Sequence, residues 1–167
     1  MEKDFKALIE ALFDEIDKIG ARIGKKNYHT EVANEMLEYL MYLAIADARI
    51  EWTEILKIGI YLGVTDLNPQ NVELYIKEHN ICSEKFENTI PPFFKILTDH
   101  DNMMYAKDSS YQKLLSEIML IAYKALGKEL VESNGQVVSY EYTNFYIYDK
   151  LLNDYLDEHL LARRSDN

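Results

Sequence analysis

The sequence predicts an all-α protein, a compact single domain over residues 1–167 with about seven to eight helices around two central ones. Three observations predict it. Only six Gly and three Pro punctuate 167 residues, too few for the many turns a strand-rich chain needs. Hydrophobic residues make up 48% and charged residues 28%, the balance of a globular chain with a real core. Apolar residues also recur at intervals of three and four along most of the chain, the spacing of one helix face.

Taken in order, Phe5, Leu8, Ile9, Leu12, Phe13, Ile16 and Ile19 lay one apolar stripe on a surface helix over about residues 4–23. A second helix is expected over Glu31–Ala46 with Thr30 as N-cap. Its face of Val32, Met36, Leu37, Leu40, Met41, Leu43 and Ala44 is wide enough to make it central. The turn Asp47-Ala48-Arg49-Ile50-Glu51 leads to a short helix through Ile55, Ile58 and Leu62 that stops near Gly63. Pro69, well suited to a first helical turn, opens a helix over about residues 69–80. Ser83 is placed to cap a short helical piece, and Pro91-Pro92 starts a segment through Phe93, Phe94, Ile96 and Leu97. The polar stretch from Thr98 to Ser110 reads as the least regular part.

The most apolar helix follows over Tyr111–Val131 and is expected to be buried on most sides. Asn134-Gly135 ends it. Ser139 can cap a last helix carrying Phe145, Tyr148, Leu152, Tyr155, Leu156 and Leu160, with Arg163 and Arg164 at the negative end of its dipole.

Charge narrows the function. Eighteen Lys and Arg against 29 Asp and Glu leave a net charge of −11. Such a surface repels phosphate backbones and anionic lipid, which argues against nucleic acid and against direct membrane insertion. Divalent cations or a basic protein surface fit it better. The single cysteine, Cys82, excludes an internal disulfide and a Cys-rich zinc site. No apolar run approaches the roughly 20 residues of a spanning helix, and Met1-Glu2-Lys3-Asp4 runs straight into an amphipathic helix. A cytoplasmic setting is the expectation.

The two central turns superpose. Asp47-Ala48-Arg49-Ile50-Glu51-Trp52-Thr53-Glu54 aligns with Asn134-Gly135-Gln136-Val137-Val138-Ser139-Tyr140-Glu141, since 134 minus 47 and 141 minus 54 both give 87. At the same shift Val32, Met36, Tyr39 and Leu43 fall opposite Met119, Tyr123, Leu126 and Leu130, and Ile58 falls opposite Phe145. Each copy reads as apolar helix, carboxylate or amide, β-branched residue, glutamate, second helix. Asp or Asn can close a turn on backbone N–H groups, and a glutamate in the next helix's first turn meets unpaired N–H groups and the positive dipole end. Two carboxylates bracketing a tight turn can also hold a hard divalent ion through oxygen.

This pattern resembles the signature of the tellurite-resistance TerB-like family, over roughly residues 30–160. The resemblance implies a compact all-helical domain with an internal pseudo-two-fold repeat and an association with stress response and tellurite resistance. It also implies acidic metal ligands at Asp47 and Glu54 in the first copy and at Asn134 and Glu141 in the second. Ala48 stands where the family prefers Gly, and Asn134 stands where it has a carboxylate.

Two readings of these residues stand side by side. In one, Asp47, Glu51 and Glu54, joined by Glu132, Asn134 and Glu141, form an oxygen-rich site for calcium, magnesium, manganese or zinc. In the other they are turn and helix-end residues with no ligand. The spacing is not that of an EF-hand loop.

None of His29, His79, His100 and His159 forms HExxH or follows a Glu by three residues, so structural zinc and di-iron bundle chemistry drop out. Asp99-His100-Asp101 is read as a solvated loop, and Cys82 as partly buried filler. Without a nucleophile or oxyanion-hole motif, no enzymatic activity and no organic cofactor are expected. Tyr142 and Tyr146 are read as core packing, whereas Trp52 and Tyr140, ahead of the helices proper, are candidates for contact with a protein partner. The expected function is a non-enzymatic stress-response or accessory module that binds a divalent cation and recruits a protein. The alternative is a metal-independent protein-interaction domain.

Overall fold

The computed structural model describes residues 3–46, 52–64, 66, 68–133 and 139–164. Eight helices and a closing helical turn occupy them: α1 (Lys3–Arg22), α2 (His29–Ala44), α3 (Trp52–Tyr61), α4 (Pro69–Glu78), α5 (Ser83–Glu87), α6 (Pro92–Lys107), α7 (Leu115–Ser133), α8 (Ser139–His159) and the single turn α9 (Leu161–Arg164). No strand occurs among the described residues. None of their helices is long and apolar enough to cross a membrane.

The two widest apolar faces take the centre. Helix α7 packs on α1, α2, α3, α6 and α8, while α2 packs on α1, α3, α5, α7 and α8. Between them lies a layer of tyrosines: Tyr39 stacks on Tyr148 with centroids 4.8 Å apart and meets Tyr123 edge-on at 5.0 Å. All three are fully buried, and offset or edge-on rings add to what their burial alone contributes. Gly127 of α7 permits this layer, because a Cβ there would collide with the Tyr39 hydroxyl and the Phe145 ring. Helix α1 lays Ile9, Leu12 and Ile16 on the same core, each burial worth about 1.5–3 kcal/mol.

Helix ends explain most of the boundaries. Gly63 closes α3 at φ +76°, with Val64 N–H donating to Gly59 O at 2.8 Å and Gly63 N–H to Ile60 O at 3.1 Å. This is the left-handed helix terminator that glycine serves best. Asn80 ends α4 in the same way, at φ +50°.

Three helix starts are capped from other helices. At α2, the expected cap Thr30 lies inside the helix, and Asp17 of α1 serves instead: its Oδ1 accepts His29 N–H at 2.9 Å, and its Oδ2 pairs with His29 Nδ1 at 2.7 Å. At α6, Pro92 takes the first position and Glu35 of α2 accepts Phe93 N–H at 3.2 Å. At α7, Asp101 of α6 accepts Leu115 N–H at 3.0 Å, Ser116 N–H at 2.8 Å and Ser116 Oγ–H at 2.6 Å. Each carboxylate satisfies donors that a helix cannot satisfy itself and sits at the positive dipole end.

The stretch from Thr98 corrects the sequence reading. Helix α6 runs on regularly to Lys107, with Thr98 and Asp101 fully buried. Thr98 returns its hydroxyl to Phe94 O at 2.7 Å, and the α7 N-terminus occupies Asp101. That cap also explains why α7 begins at Leu115 rather than Tyr111. Ser83 is the first residue of α5, after Cys82 at the cap position. Arg163 belongs to α9 rather than to the end of α8, and its guanidinium bridges Glu117 at the start of α7 and Asp157.

Candidate functional site

Both acidic turns fall between consecutive packed helices, one joining α2 to α3 and the other joining α7 to α8. Asp47, Glu51 and Asn134 lie outside the described residues. Glu54 and Glu141 occupy the third position of α3 and α8; Trp52 and Tyr140, expected ahead of the helices, are instead the first residue of α3 and the second of α8, and the side chains of all four lie outside the described residues. Glu132 is exposed and pairs with Lys128 one turn back, at 3.8 Å.

Nearer the other end of α2 the described residues form a cleft of about 390 Å³, within the size range of small-ligand sites. Glu31, Asn34, Glu35 and Glu38 of α2 make one wall; Lys85, Phe86, Thr89 and Pro91 to Phe93 face them, with Tyr148 of α8 also in the lining. The placement follows from the sequence. Glu31, Glu35 and Glu38 repeat at four and three residues, so one helix face carries all three. Pro91-Pro92 turns the chain across that face and stations the Phe93 amide over Glu35.

Glu35 is partly buried, with Oε1 accepting the Tyr123 hydroxyl at 3.2 Å and Oε2 accepting Phe93 N–H. Burial pushes its pKa up to about 7; the two hydrogen bonds pull the other way, and the neighbouring Glu38 adds a further rise. Glu38 accepts the Tyr75 hydroxyl at 3.1 Å and lies 3.8 Å from Lys85 Nζ. Glu31 pairs with Lys25 at 3.1 Å. Burial, with the charge of Glu35, holds the Tyr123 and Tyr148 phenols well above their ordinary range.

This cleft was not singled out by the sequence, because a mid-helix glutamate reads as a solvated face. A signal existed: Glu35 falls within the apolar stripe, three residues after Val32 and four before Tyr39, both buried.

His100, Asp101 and Tyr146 are placed differently from expectation, whereas Cys82 and Tyr142 are as expected. Asp99-His100-Asp101 is helical, and the His100 side chain is only 13% exposed rather than solvated. Its Nδ1 lies 3.5 Å from Asp101 Oδ1 and has no hydrogen-bond partner among the described residues. Asp101 is a cap, its pKa raised by burial. Cys82 is half-buried and unpaired in any disulfide. Tyr142 packs against the core as expected, but Tyr146 is 62% exposed, its ring resting on Tyr142 and Phe145. No protein-family profile, curated protein or solved structure matches this chain.

Proposed function

We propose that the chain is an internally duplicated TerB-like module that works by binding rather than catalysis. In this reading it holds a divalent cation at its acidic inter-helix turns and recruits a protein partner in an accessory, stress-related role. The register of the duplication carries the reading. The five apolar pairs named above at the shift of 87, from Val32 with Met119 to Ile58 with Phe145, are buried in both members. The same shift sets His29 opposite Ser116, and each gives both its backbone N–H and its side chain to an aspartate on the preceding helix. The span from cap to helix is 12 residues in the first copy and 15 in the second. The shared shift of the capped residues and the core pairs, with the shift of the turns in sequence, supports two related units, although the capping aspartates themselves differ by 84 rather than 87.

Metal analysis after equilibrium dialysis tests this reading. The parent chain is expected to retain calcium, magnesium, manganese or zinc, and Asp47→Ala and Glu54→Ala to lose it with their helical content intact. Equal retention by all three proteins removes the turns as ligands.

The cleft favours a second reading, a metal-independent interaction domain, since its lining owes nothing to the turns. A partner that stays bound in chelator and is lost on Glu31→Lys at the cleft rim would select that reading, and further loss on Tyr140→Ala or Trp52→Ala would extend the contact to the turn aromatics.

A further inference from the structure

We propose that the cleft between α2 and α5 binds a small protonated alkylamine, its ammonium head on Glu35 and its stem between Phe86, Phe93 and Tyr148. This goes beyond the reading of the turns and does not depend on it.

Three features converge. The first is shape: a cavity of about 390 Å³ is walled by Phe86, Pro91, Pro92, Phe93 and Tyr148, apolar surface suited to an aliphatic stem. The second is charge: of the three lining carboxylates, Glu31 pairs with Lys25 and Glu38 lies by Lys85, which leaves Glu35 without a cationic partner among the described residues. The third is the placement of Glu35. Its oxygens take one hydrogen bond each from inside the fold, and a carboxylate has about four acceptor sites. Acceptor capacity is therefore left over while the group is held in place. Among the described residues no three His, Cys, Asp or Glu side chains converge closely enough to hold a metal ion. Glu31 and Glu35 are one helical turn apart, about 6 Å, a spacing for an extended organic cation.

Proton linkage gives the proposal a signature. The groups facing Glu35 are Glu31 and Glu38 on its own helix, Lys85 on α5, Tyr123 on α7 and Tyr148 on α8. Both phenols stay neutral at ordinary pH. Glu35 is displaced to about 7, so an ammonium that requires its ionised form drives a proton off below that pH.

The experiment is calorimetric titration of the full chain with cadaverine, in buffers of different ionisation heat, at pH 6 and pH 8.5. Saturable binding is expected at both, with proton release at pH 6 only and weaker affinity there. n-Pentanol, matched in stem but uncharged, is expected not to bind. Glu35→Gln is expected to weaken cadaverine by about tenfold to a hundredfold, while Asp47→Ala leaves it unchanged. Nα-acetyl-lysine methylamide distinguishes the source of the amine: tighter binding of this probe assigns a lysine side chain of a partner, tighter binding of cadaverine a free amine, and both support the alkylammonium. No saturable binding of either amine, equal binding of pentanol, or binding without proton release at pH 6 would overturn the proposal. The proton-release measurement uses the unaltered chain, so it stands even where Glu35→Gln fails to fold.

Discussion

Glu35→Gln is expected to stabilise the protein at alkaline pH and to leave it nearly unchanged at acid pH. Glu35 titrates near 7 in the fold against an ordinary 4.5, because burial opposes its charge. A carboxyl with a raised folded pKa contributes stability that is present below 4.5 and lost as pH rises through about 7. At about 1.4 kcal/mol per unit, ionisation costs the fold about 3 kcal/mol over the whole window, of which about 2.5 kcal/mol falls between pH 5 and pH 8. Glutamine removes the titration and keeps the geometry: its carbonyl can accept Phe93 N–H, and its amide can donate to the Tyr123 oxygen, whose hydroxyl is free to rotate. Urea denaturation of both proteins at pH 5 and pH 8 checks this. The difference in unfolding free energy should grow by about 2.5 kcal/mol toward pH 8. Parallel pH profiles would refute the claim that Glu35 is ionised against burial.

The remaining predictions concern caps and packing. Asp101→Ala should cost about 3–5 kcal/mol, since it strands two buried amides and a buried hydroxyl at the start of α7. Asp17→Ala should cost only about 1 kcal/mol, because its side chain is 39% exposed and water can replace it. Urea midpoints that rank the two the other way would contradict the burial argument. Gly127→Ala should lower stability by about 1–3 kcal/mol by forcing Tyr39 and Phe145 apart. An ordinary helix-interior Gly→Ala gains up to about 1 kcal/mol, so a rise in Tm would show that the tyrosine layer yields.

Much of the fold was legible because its signals are local. The stripe of α1, the wide face of α2, Gly63, Pro69 and Pro91-Pro92 each mark a face or an end that neighbouring residues decide. The misplaced starts of α2 and α7 and the irregular reading of α6 share one cause. Asp17, Glu35 and Asp101 accept helix-start amides 12, 58 and 14 residues away. No window of sequence around His29, Phe93 or Leu115 contains its cap. The same carboxylates made α6 look irregular and hid the cleft, since a buried acid is indistinguishable from a solvated one until its donors are seen. The acidic turns show the converse: a repeat in sequence drew attention to Asp47, Glu54, Asn134 and Glu141 through spacing alone.

Calorimetric titration of metal-stripped protein with calcium, magnesium, manganese and zinc, run beside Asp47→Ala and Glu54→Ala, tests the central claim most directly. Saturable binding at the acidic turns is expected, resting chiefly on Asp47 and Glu54 because Asn134 leaves the second turn a charge short. Either substitution should abolish it without loss of helix. Absence of saturable binding by the parent chain would contradict the claim and leave both turns as helix-end chemistry.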